Sequence, residues 1–202
     1  MIIGINAVYD YLCFWVKISV KRRILTSKNI TMKKKIYLFP LLLSICVFSI
    51  SCTTTQEPFD QYGVSFTCPS GWEIDEATEL EVGWYYICVE KLGFNSSGII
   101  TIVMVEDEMD LNDFLADFQE SIDSQSVLSQ LDMSRTTEGI YGQYAGISAH
   151  YKANVMSLPH EGRMYVFSTN GKTVYVNEQE AVEDKKENAT GFEIIRESLK
   201  IE

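Results

Sequence analysis

The hydrophobic positions of this chain change period several times, and each change marks an element. Val64, Phe66 and Cys68 alternate with Ser65 and Thr67, the pattern of a half-buried strand. Pro69, Ser70 and Gly71 follow with turn chemistry, and Trp72 re-enters the core. Trp84–Leu92 and Ile99–Val105 are near-continuous runs of β-branched and aromatic residues, as expected of strands covered on both faces. Asn95–Gly98 joins them as a tight loop, so the two form a predicted hairpin. The period then lengthens. Leu111, Phe114, Leu115, Phe118 and Ile122 fall on one face of a helix that packs on the sheet. Asp110 stands at its N-cap and Asp113 at its third position, where acids favour the helix dipole.

After a looser stretch, Ser124–Leu131, a short strand is predicted over Met133–Glu138, ending at Gly139. The clearest alternation comes next. Tyr141, Ala145, Ile147, Ala149, Tyr151, Ala153 and Val155 take one face, and Gly142, Tyr144, Gly146, Ser148, His150, Lys152 and Asn154 the other. The alanines leave room for a helix to approach closely. Met164–Ser168 and Thr173–Val176 flank Asn170-Gly171, a hairpin signal because a type I′ turn needs φ > 0 twice. Glu178–Glu187 reads as a charged, solvated face. Ala189, Phe192, Ile195 and Leu199 recur at helical spacing, and Leu199–Glu202 closes the chain as an extended end.

The stretch Met32–Cys52 has a different character. Lys33, Lys34 and Lys35 precede an apolar run, Ile36–Ile50, and Ser51 stands before Cys52. Basic region, short apolar region and small residue at the cut are the parts of a secretory signal. The run is shorter than the roughly 20 residues that span a bilayer, and it lacks the polar face of a core helix. The cysteine after the cut makes it resemble a bacterial lipoprotein signal, although Ser49 stands where such signals usually carry an aliphatic residue. The resemblance implies a lipid on Cys52, which becomes the mature N-terminus. Residues 1–31 precede a methionine that begins a complete signal, and they read as a mis-called upstream start or an extended n-region. Residues 32–51 are then the signal peptide, 52–59 the lipidated cysteine and tether, and 60–202 one α+β domain.

Charge changes at the cut. Eight of the 17 Lys and Arg precede Cys52 but only one of the 28 Asp and Glu, Asp10, does, which leaves nine cations against 27 anions and a net charge of −18. Such a domain does not bind nucleic acid, which needs cationic surface to displace phosphate counterions, and anionic membranes repel it. Attachment to a membrane has to come from the lipid, two or three acyl chains holding where one is weak. Thr53 in place of an aspartate after Cys52 points to the outer membrane, facing the periplasm. Two cysteines remain, Cys68 and Cys88, and the envelope permits a disulfide between them. Strand parity leaves that pairing and two buried thiols both open.

Candidate chemistry is sparse. Glu106–Asp110 lacks the alternating oxygens, central glycine and distal glutamate of a calcium loop. His150 falls on the more polar strand face and His160 beside Pro159, both read as solvated. Neither stands in a G-x-S-x-G setting, and two histidines ten positions apart form no zinc pattern. No catalytic, cofactor or metal residue is assigned. Trp84, Tyr85, Tyr86, Tyr144, Tyr151 and Tyr165 could line a pocket for a small apolar ligand or fill the core.

Several of these parts together resemble the PsbP-like superfamily: the opening Tyr62–Trp72, the acid-capped middle helix, the small-residue strand ending near Tyr151, the Asn-Gly-Lys hairpin, and the ending from Phe192 to Ile201. That superfamily also contains DcrB-like bacterial lipoproteins and Ran-binding Mog proteins. The resemblance covers about residues 60–202 and implies a single antiparallel sheet of about six to seven strands with helices on its faces. It carries over no catalytic motif. The expected function is a non-catalytic envelope lipoprotein acting as a binding or assembly module for an unidentified envelope protein. A carrier or sensor of a small apolar ligand is the alternative, and a hydrolase ranks third.

Overall fold

The computed structural model describes residues 56–93, 96–125 and 127–202. The expected signal peptide, Cys52 and most of the expected tether lie outside them. Among the described residues the chain runs β1 (Glu57–Gln61), β2 (Val64–Cys68), β3 (Trp72–Glu81), β4 (Trp84–Lys91), β5 (Ile99–Val105), α1 (Leu111–Asp123), β6 (Leu128–Met133), β7 (Thr137–Tyr141), β8 (Tyr144–Val155), β9 (Leu158–Thr169), β10 (Lys172–Ala181), α2 (Lys185–Ser198) and β11 (Lys200–Ile201). Glu57 and Phe59, expected in the tether, already belong to a strand.

The architecture is α+β, but with two antiparallel sheets rather than one of six to seven strands. The large sheet has eight strands in the order β3-β4-β5-β10-β9-β8-β6, with β7 also paired to β8, and the small sheet runs β1-β2-β11. The layers follow from where apolar surface must go. Helix α1 covers one face of the large sheet through Phe114, Leu115, Phe118 and Ile122, which pack with Tyr86, Val103, Tyr151 and Tyr175. The other face is covered by α2 and the small sheet, where Phe59, Phe66, Phe192 and Ile195 meet Ile87, Ile100, Ile102 and Val174. Strand β5 lies between both covers, so all seven of its residues are buried.

Local signals set several elements. The carboxylate of Asp110 accepts from the backbone N–H groups of Asn112 and Asp113 at 2.9 and 3.0 Å, which caps α1. Asn170 and Gly171 take φ of 53° and 75°, the backbone of a type I′ turn, and join β9 to β10. The long alternation is split by a turn at Gly142 and Gln143, which places Tyr141 on β7 and begins β8 at Tyr144. In α2, Gly191 permits a close approach, since a Cβ there would stand 2.4 Å from the Trp72 ring.

Two further expectations are corrected. The charged stretch from Glu178 is not solvated: β10 continues to Ala181, and Glu178, Gln179 and Glu180 are buried beneath the covering layers. The disulfide between Cys68 and Cys88 is not formed. Cys68 is a free buried thiol in the cluster under α2. Cys88 lies in the cluster under α1, on the other face of the large sheet, and is disulfide-bonded elsewhere.

Candidate functional site

Three central strands and one helix assemble a charged trough. Cross-strand register sets the rows: His150 of β8 lies opposite Arg163 of β9, and Lys152 opposite Glu161. On the other side of β9, Glu178 lies opposite Arg163 and Glu180 opposite Glu161. Residues directly opposite on neighbouring strands share a face, so these groups form two adjoining charged rows. Helix α2 adds Lys185, Ala189, Phe192 and Arg196, spaced to fall on a single stripe of the helix.

The rows open into two adjoining recesses. One, of about 170 Å³, is lined by Asp132, Ser134, His150, Lys152, Arg163 and Lys185 among others. Its neighbour, of about 140 Å³, runs beneath α2 along Glu178, Glu180, Phe192 and Arg196, and the two share Glu161, Gly162, Arg163 and Lys185.

Helix α2 settles which charges are neutralised. Arg196 donates two hydrogen bonds from Nη2 to the carboxylate of Glu178, at 2.8 and 2.6 Å, and its guanidinium sits 5.6 Å over the ring of Tyr141. The Glu178 side chain is only 4% exposed. Burial therefore pushes its carboxyl above the ordinary carboxylate value, with Arg196 acting against that rise. Lys185 pairs with Glu161 at 2.5 Å. Arg163 acts on Glu178 as well, helping Arg196 to hold its carboxyl down against burial. Lys152 and Arg163 line the first recess without an ion pair within 4.0 Å among the described residues.

The histidines separate. His150 is exposed at the recess, and its basicity is lowered by burial and then by Arg163, with Glu161 opposing. Its neighbour Ser134 accepts from the His150 backbone N–H at 2.8 Å and donates to the Arg135 carbonyl at 3.2 Å, so that hydroxyl is engaged with main chain on both sides. His160, expected at the surface, is buried at 3% exposure because β9 begins at Leu158 and carries it inside. Its Nδ1 lies 2.9 Å from the Leu158 carbonyl oxygen, and burial lowers its basicity.

The six aromatics do not converge on one cavity. Trp84, Tyr86 and Tyr151 pack on the α1 side, whereas Tyr85, Tyr144 and Tyr165 pack on the α2 side. Asp75, Cys88 and Glu90 bring ligand atoms within 4.8 Å of one another on the β3–β4 hairpin. The Cys88 sulfur is held in a disulfide and is not a thiolate ligand, so this group is no metal site.

No protein-family model matches the sequence, and no curated protein sequence matches it. Solved structures do match by shape. Cyanobacterial PsbP from Synechocystis superposes with a TM-score of 0.54 at 13% identity, covering 79% of this chain and 99% of that one. A Bacteroides thetaiotaomicron protein gives 0.49 at 12% identity, over 74% of this chain and 49% of that one. LpqN of Mycobacterium tuberculosis, a protein involved in cell envelope biogenesis, gives 0.48 at 11% identity, over 73% and 90%. The described domain has the PsbP-like fold.

Proposed function

We propose that this chain is a non-catalytic binding module held at a bacterial envelope membrane by a lipid on Cys52. The observation that carries the reading is the junction between signal and fold. Strand β1 begins at Glu57, with only Thr53–Gln56 between it and Cys52. At about 3.5 Å per residue, such a tether keeps the domain within roughly 20 Å of its anchor. No helix among the described residues is long and apolar enough to cross a membrane, and we assign the attachment to the lipid. The charged trough supplies the binding surface. We assign the protein to the outer membrane, facing the periplasm, on the identity of Thr53.

Mass spectrometry and membrane fractionation test the anchor. The expected result is lipid mass on Cys52 and membrane partition that Cys52→Ala abolishes. Partition that survives the substitution overturns the reading. So does peptide mapping that finds Cys52 in a disulfide, since one sulfur cannot hold both bonds. Mild crosslinking of the lipidated protein should recover one stoichiometric envelope partner. A specific hydrolase rate in purified protein would count against the non-catalytic role.

A further inference from the structure

We propose that the recess between β8, β9 and α2 is an oxyanion site, in which Lys152 and Arg163 together hold one carboxylate or phosphate group. Among the described residues Lys91, Lys185 and Arg196 hold carboxylate partners, and Lys152 and Arg163 are among the cations that do not. These two lie on neighbouring strands and line one recess of about 170 Å³. Of the acids in register with them, Glu161 and Glu178 pair with Lys185 and Arg196 of α2, at 2.5 Å and 2.6 Å, and Arg163 also acts on Glu178. Asp132 is the remaining acid of the recess and lies opposite Lys152 on β6, without forming an ion pair with it.

An entering oxyanion would meet the forked guanidinium of Arg163, which suits two oxygens at once, and the ammonium of Lys152 as a point charge. The recess is several times the roughly 30 Å³ share of one water molecule, enough for a carboxylate or phosphate with part of its hydration. The charge of −18 carried by the residues after Cys52 does not forbid this. At physiological ionic strength fields are screened within about 8 Å, so the groups lining the recess dominate. His150, cross-strand from Arg163, is a built-in reporter: burial first, then Arg163 and Lys185 lower its basicity against Glu161, and a bound anion should raise it.

The proposal deepens the binding-module reading by naming the chemistry recognised. It rests on that reading only for its setting, because Cys52→Ala leaves the recess intact and the two claims fail separately. The test is calorimetric titration of the full chain in non-ionic detergent at low salt, with sodium phosphate and, separately, sodium acetate. Saturable one-site binding is expected, weakened about ten-fold by Arg163→Gln or Lys152→Gln, the loss of one charge-assisted contact. Asp132→Asn should tighten binding, and Lys200→Gln, on β11, should leave it unchanged. The His150 imidazole should titrate at higher pH in the anion-saturated protein. Binding of phosphate alone supports a phosphorylated ligand, and binding of both supports a carboxylate; either sustains the site. No saturable binding, or affinity unchanged in folded Arg163→Gln, overturns it.

Discussion

On the α1 side of the large sheet, β10 presents Tyr175, Asn177 and Gln179; on the α2 side it presents Glu178 and Glu180. Both sets are buried, yet their chemistry differs. Under α1 the polar groups are neutral. Tyr151 donates its phenol proton to Gln179 Oε1 at 2.8 Å and accepts from Asn177 Nδ2 at 3.3 Å, while Tyr175 stacks on Phe118 with centroids 3.7 Å apart. Under α2 the groups are carboxyls, of which Glu178 meets the Arg196 guanidinium, and the trough beside them opens to solvent. Tyr151, Asn177 and Gln179 lower the cost of enclosure by bonding one another, whereas Glu178 needs the counter-charge of Arg196. The open side is where cations remain for a ligand.

Removing one partner from each network sharpens this comparison. Arg196→Met leaves Glu178 buried without its counter-charge and should destabilise the fold by about 3 kcal/mol, read from urea denaturation. Adding Glu178→Leu should restore most of that loss. If the double variant is as unstable as the single, the ion pair is not what the α2 side depends on. Tyr151→Phe removes a neutral partner instead and should cost about 1 to 2 kcal/mol. An equal loss at both positions would erase the distinction between the two faces.

The smallest effect is a pH slope. Because the folded-state carboxyl of Glu178 is raised, the folded protein retains a proton that the unfolded chain releases above about 4.5. The contribution of this group to stability therefore falls as pH rises from 4.5 through the folded value. Between about pH 5 and pH 7, wild type should lose more, or gain less, stability than Glu178→Gln. Parallel urea midpoints in the two proteins would contradict that assignment.

How much was legible in the sequence follows the range of the interaction. Asp110 caps α1 through its own next turn, Asn170-Gly171 sets a turn by its own backbone, and the apolar run of β5 reports burial on both faces. Strand β3 was not legible. It lies at the sheet edge, carries acids at Glu73, Asp75, Glu76, Glu79 and Glu81, and has register shifts at Ile74/Glu76 and Glu79/Glu81. Charges and bulges are how edge strands avoid pairing further, and they also break the alternation that reveals a strand.

The site was less legible than the fold. Lys152, Arg163 and His150 read as ordinary residues of a polar strand face. Glu178 and Glu180 looked solvated because charge runs usually are, and His160 looked exposed because Pro159 precedes it.

By itself the sequence determined the turns, the helix cap and the apolar strands, because each depends on residues within a few positions of one another. The tertiary structure decided which charges are buried, which acids are engaged and which cations are left over. Those outcomes depend on α2 folding back over β9 and β10, so that Lys185 and Arg196 reach Glu161 and Glu178. Pairing across that distance leaves no periodic trace in the chain.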